Sequence, residues 1–64
     1  MIRNRRGRYA VATSDVVDAS QRLRAASRYM RELGHGALAE SLDAVALQAE
    51  DLLDYIAAAR EEQP

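Results

Sequence analysis

The sequence predicts an all-α protein: an antiparallel two-helix hairpin, about residues 14–33 and 37–60, that assembles as a homodimeric four-helix bundle and carries an Arg-rich N-terminal arm over residues 1–13. Three observations predict it. Apolar residues recur at unbroken spacings of 3 and 4 along both halves of the chain. The only internal break is the triplet Gly34-His35-Gly36. The chain has 64 residues and no Cys, and a domain this small buries only about 60% of its unfolded surface, so two thin helices need outside support.

The first helix has a capping residue at Ser14, with Asp15 in the first turn, where the helix dipole favours a carboxylate. From there the apolar positions are Val16, Ala19, Leu23, Ala26, Met30 and Leu33, in steps of 3, 4, 3, 4, 3. Gly34 suits the left-handed residue that follows a helix C-terminus, and Gly36 suits the N-cap of the next helix. The second helix repeats the pattern at Leu38, Leu42, Val45, Ala49, Leu52, Ile56 and Ala59. Both runs are a/d heptads, and the short loop makes the helices antiparallel.

Folding about His35 sets opposite each other the residues whose numbers sum to about 71–72. The expected layers are Met30 with Leu42, Ala26 with Val45, Leu23 with Ala49, Ala19 with Leu52, and Val16 with Ile56. Small faces large in three of these five layers, which packs helices without voids. Beside the seam runs a second strip at the e positions: Ser20 and Ser27 on the first helix, and Ala39, Ala46 and Leu53 on the second. With no Cys and one His, disulfides and zinc are not available as staples, which leaves self-association. A second hairpin related by a two-fold axis would cover this strip. The expected dimer interface takes Ala19, Ser20, Leu23, Ala26, Ser27 and Met30 from the first helix. From the second it takes Leu42, Val45, Ala46, Ala49, Leu52, Leu53 and Ile56.

Residues 9–13 have two readings. Tyr9 and Ala12 continue the heptad backwards from Val16, whereas Tyr9, Val11 and Thr13 also alternate as a strand would. A strand before two helices resembles ribbon-helix-helix repressors, although a following helix of about 20 residues is long for that fold.

All nine basic residues are Arg. Residues 1–32 hold eight Arg against three acids, net +5, and residues 33–64 hold one Arg against seven acids, net −6. Such asymmetry fits a nucleic-acid face, and equally fits a basic first helix lying beside the acidic second helix of another copy. No window approaches 18 consecutive apolar residues, and no apolar stretch behind the N-terminal Arg residues is long enough for a signal peptide. The expected location is the cytoplasm, in a protein of bacterial or phage style.

Enzyme chemistry finds no foothold in the residues. There is no Gly-rich phosphate loop, nucleophile elbow or gatherable Ser/His/Asp set, and a hairpin offers little pocket volume. His35, alone between glycines, reads as an exposed loop residue. Glu50, Asp51 and Asp54 form an acidic cluster, but the Glu-x-x-His pattern of di-iron bundles is absent. The cluster reads as a solvated face or as a docking surface for a partner, joined by the outward Leu47 and by Tyr55. No catalytic residue, metal ligand, cofactor or small-molecule substrate is expected. For nucleic acid, the candidates are Arg3, Arg5, Arg6 and Arg8, with Tyr9 able to stack on a base, and Arg24, Arg28 and Arg31 along one face of the first helix. The plainer reading of those three is a set of partners for acids on the neighbouring helix.

Over Ser14 to Arg60, the length, the central loop and the small-against-large layers resemble the Rop family of plasmid RNA-binding proteins, which dimerise into four-helix bundles. The resemblance is one of architecture. It implies RNA contact through the exposed face of the first helices, where Arg24, Arg28 and Arg31 would supply the basic part. That family also uses a Phe there, and this chain has none. Two functions are therefore expected as alternatives: a non-enzymatic regulator that docks on another protein as a hairpin dimer, or a nucleic-acid binder.

Overall fold

A computed structural model of the chain describes residues 5–62. It contains two helices packed as a hairpin, α1 (Arg5–Glu32) and α2 (Gly36–Glu61). The second helix matches its expected bounds within a residue. The first begins at Arg5, nine residues before Ser14, so the described part of the expected arm is helical and Tyr9–Thr13 is not a strand. Arg3 lies outside the described residues.

The early start follows from matching the two helices in length. The 26 residues of α2 run about 39 Å at 1.5 Å per residue. A partner beginning at Ser14 would leave the end of α2 uncovered. Instead Tyr9, Ala12 and Val16 lie beside Leu52, Ile56 and Ala59. Ala10, Ala12 and Arg8 favour helix intrinsically. The Thr13 hydroxyl donates to the Tyr9 carbonyl at 2.9 Å within the same helix, a local bond that a helix interior tolerates. Packing thus outweighs the capping preference of Ser14.

The connection is a Schellman turn. The His35 N–H donates to the Met30 carbonyl at 2.8 Å, and the Gly34 N–H to the Arg31 carbonyl at 3.1 Å, which satisfies carbonyls the helix end would otherwise strand. Gly34 has φ +90°, a conformation that costs an L-residue about 1–2 kcal/mol. Gly34→Ala is expected to lower the melting temperature by roughly 5–15 °C, taking about 4–8 °C per kcal/mol for a domain this small; thermal circular dichroism checks it. His35, not Gly36, is the N-cap of α2. Its carbonyl accepts the Ala39 N–H at 2.9 Å, and its side chain makes no capping bond.

The line of contact between the helices differs from the heptad expectation. Among the described residues, the buried ones are Ser20 and Ser27 on α1 and Ala39 and Ala46 on α2. All four are e positions, the strip expected to face a second hairpin. The Ser27 hydroxyl donates to the Ala39 carbonyl on the opposite helix at 2.9 Å. A short side chain reaches a neighbouring backbone only if the two helices approach closely. Ser20 donates to Val17 in its own helix at 3.0 Å. Among the described residues, no buried polar side-chain atom lacks a partner. The a/d residues are displaced to one side of this seam. Leu23, Met30, Leu42, Ala49 and Ile56 are half-buried, whereas Ala19, Val45 and Leu52 are exposed. Large residues on the contact line would hold the helices apart; small ones let them close, and this decides which strip is spent inside the hairpin.

Candidate interaction surface

The helix repeat of about 100° per residue places the displaced rows. On α1, Ala12, Ala19 and Ala26 project to one side of the seam. On α2, Leu38, Val45, Leu52 and Ala59 do the same. Because the helices are antiparallel, their opposite senses of rotation bring both rows onto the same face of the hairpin. That face is apolar along its length. At the end remote from the loop it opens into a groove of about 360 Å³ lined by Tyr9, Ala12, Val16, Leu52, Tyr55, Ile56 and Ala59. Leu38, Val45 and Leu52 are 50, 48 and 51% exposed. The molecule is a flat slab of 50 × 18 × 10 Å with 5132 Å² of accessible surface. A compact monomer of 7.1 kDa would expose about 4,100 Å². The excess, about 1,000 Å², is comparable to the ~800 Å² that each partner buries in a standard protein interface.

The opposite face is polar and tied by two ion pairs. Arg24 donates through Nε and Nη2 to the two carboxylate oxygens of Glu50, both at 2.9 Å. Arg31 Nη2 donates to Asp43 at 3.2 Å. The Arg24 guanidinium holds the Glu50 carboxyl below its ordinary range. Asp43 is held low by the Ser27 hydroxyl beside it and by Arg31, although that hydroxyl has one proton to divide between Asp43 and the Ala39 carbonyl.

Both shifts are downward, so the stability they contribute is complete above the ordinary carboxylate range, about pH 4–4.5, and is lost as pH falls through the depressed values. The melting temperature is expected to fall between about pH 5 and 3. Replacing Glu50 with Gln and Asp43 with Asn should flatten that slope. Both pairs sit at the surface and are half-exposed, so the effect should shrink in high salt.

The expected docking cluster is divided by this geometry. Glu50 is half-buried and engaged with Arg24. Tyr55, 72% exposed, belongs to the apolar groove. Leu47, Asp51 and Asp54 remain exposed, at i, i+4 and i+7 on the outer side of α2. Of the expected dimer interface, Ser20, Ser27 and Ala46 are spent inside the hairpin. Ala19, Val45 and Leu52 face outward, and Leu23, Ala26, Met30, Leu42, Ala49, Leu53 and Ile56 lie half-buried. Of the nucleic-acid candidates, Arg24 and Arg31 are occupied by carboxylates, and Tyr9 lies in the groove with its surface half-buried. Arg8 and Arg28 are exposed and have no ion-pair partner among the described residues. Arg5 and Arg6 lie in the first turn of α1.

Among the described residues, no group of His, Asp and Glu is placed to hold a metal ion, and no helix is long and apolar enough to cross a membrane. No protein-family model, curated protein or solved structure matches this chain.

Proposed function

We propose that this chain is a small non-enzymatic interaction protein, a cytoplasmic regulator or adaptor that self-associates through its apolar face and docks on another protein through the outer side of α2. The observation that supports this reading is the open apolar row Leu38–Val45–Leu52 on a hairpin in which, among the described residues, the only buried apolar ones are Ala39 and Ala46. A contiguous face of this kind marks an interaction site. Leu47 with Asp51 and Asp54 offers the second surface, an apolar contact rimmed by carboxylates and suited to a partner with basic residues. The engagement of Arg24 and Arg31 with Glu50 and Asp43 takes two of the three candidates Arg24, Arg28 and Arg31 away from phosphates.

A pull-down from the native host with the full chain, paired with a fluorescence titration against RNA and duplex DNA at two salt concentrations, tests this. The expected result is a protein partner that is lost with Leu47→Asp, and no nucleic-acid binding with a steep salt dependence. Recovery of nucleic acid alone would overturn it, with binding that weakens steeply in salt and disappears when Arg3, Arg5, Arg6 and Arg8 become Ala. The chain would then be a nucleic-acid-binding regulator.

A further inference from the structure

The apolar face has one row of small residues and one of large. On α1 the row is Ala12, Ala19 and Ala26; on α2 it is Leu38, Val45 and Leu52, ending in the small Ala59. A surface of this shape does not fit an arbitrary flat partner, but it fits a copy of itself turned so that each small row meets the other's large row.

We infer that the occupant of this face is a second copy of the chain, packed with both loops at the same end of the bundle. The inference rests on the proposed self-association and specifies its geometry. With the two-fold axis parallel to the helices, α1 of the second copy lies over α2 of the first, antiparallel to it. Heights along the bundle are then shared, and residues whose numbers sum to about 71 meet. Ala19 of the second copy sits over Leu52, and Ala26 over Val45, each pairing occurring twice. These are two of the layers the heptads predict; here they form between chains rather than within one.

Charge selects the same arrangement. The N-terminal half carries +5 and the C-terminal half −6, so stacking α1 on α2 sets a net basic helix on a net acidic one, through the arginines at 5–8 and 22–31; between them α1 carries only Asp15 and Asp18. The rims agree. Arg8 comes level with Glu62 of the other copy, an ion pair. Asp15 comes level with Tyr55, whose phenol can donate to the carboxylate. With loops at opposite ends, α1 would stack on α1 and α2 on α2. The Ala rows would then meet each other, the large rows would meet each other, and like charges would lie side by side. One flank of the bundle would be pinched and the other wedged open.

The test uses the absence of native Cys. His35 is exposed at the loop tip, and its side chain makes no capping bond. His35→Cys is labelled with a nitroxide and the label-to-label distance measured by pulsed EPR in the full-length dimer. Arg60→Cys, at the other end of α2, serves as an independent second site. Both sites are expected to give short distances, roughly 10–25 Å, set by adjacent helix layers about 10 Å apart plus the label arms. A distance near 40 Å, the length of α2, at both sites would overturn the arrangement while leaving self-association intact. A monomer by sedimentation, with the face left for some other partner, would overturn the arrangement and the proposed self-association together.

Discussion

Leu52→Asp is expected to dissociate the protein and to remove most of its helical signal at micromolar concentration. In a single hairpin Leu52 is 51% exposed, and a carboxylate at so open a site would cost little. Under a second copy the same position is closed, and the charge is buried without a partner, at a penalty of several kcal/mol. The two-fold axis applies that penalty twice. The dissociation constant should rise by at least about a thousandfold, since each factor of ten corresponds to about 1.4 kcal/mol. Leu47→Asp is the control. Leu47 is 55% exposed, almost the same as Leu52, but lies on the outer side of α2. Its substitution should leave both dimerisation and helicity unchanged. Similar exposure with opposite outcomes isolates what covers the apolar face. Analytical ultracentrifugation with circular dichroism on both variants checks it.

The second large effect is expected inside the seam. Ala46 is fully buried in the seam between the helices. Ala46→Leu adds three carbons with no room for them, and overpacking of this kind costs about 1–3 kcal/mol or more. The melting temperature should fall by roughly 5–20 °C at about 4–8 °C per kcal/mol. If the e positions instead faced a second hairpin, a Leu there would add apolar area to an interface and raise stability. The sign of the change therefore separates the two assignments. Ala44→Leu, at an exposed position on the outer side of α2, should change the melting temperature little.

What could be read from the sequence divides along a physical line. Periodicity depends on the helix repeat alone, so both helices, their antiparallel pairing and the Gly34 turn were legible. The phase of the contact was not. Two neighbouring stripes, a/d and e, were both apolar or small, and the choice between them depends on how closely two backbones can approach. That is a matter of volume at Ser27 and Ala39, which a hydrophobicity pattern does not record. The helix start failed for a related reason. Ser14 is a good cap locally, but Tyr9 and Ala12 gain packing against Ile56 and Ala59 by extending α1.

The two ion pairs could have been found. Arg24 with Glu50 and Arg31 with Asp43 are each seven residues apart on their helices and share one numerical sum, the signature of two rungs at the same side of an antiparallel pair. That signal also explains why the acidic cluster does not act as a unit: Glu50 faces α1 while Asp51 and Asp54 face away. The proposed dimer layers pair the same residue numbers as the hairpin layers, because nothing in a single sequence distinguishes a contact within a hairpin from the same contact between hairpins.

In the proposed assembly a second copy covers the apolar face, and a lone hairpin does not persist without it. Sedimentation equilibrium with far-UV circular dichroism, carried through a dilution series into the low micromolar range, tests it most directly. Twice the chain mass is expected at high concentration, with helicity and mass declining together on dilution. A species of single-chain mass that keeps its full helical signal and a cooperative melt throughout the series would contradict it.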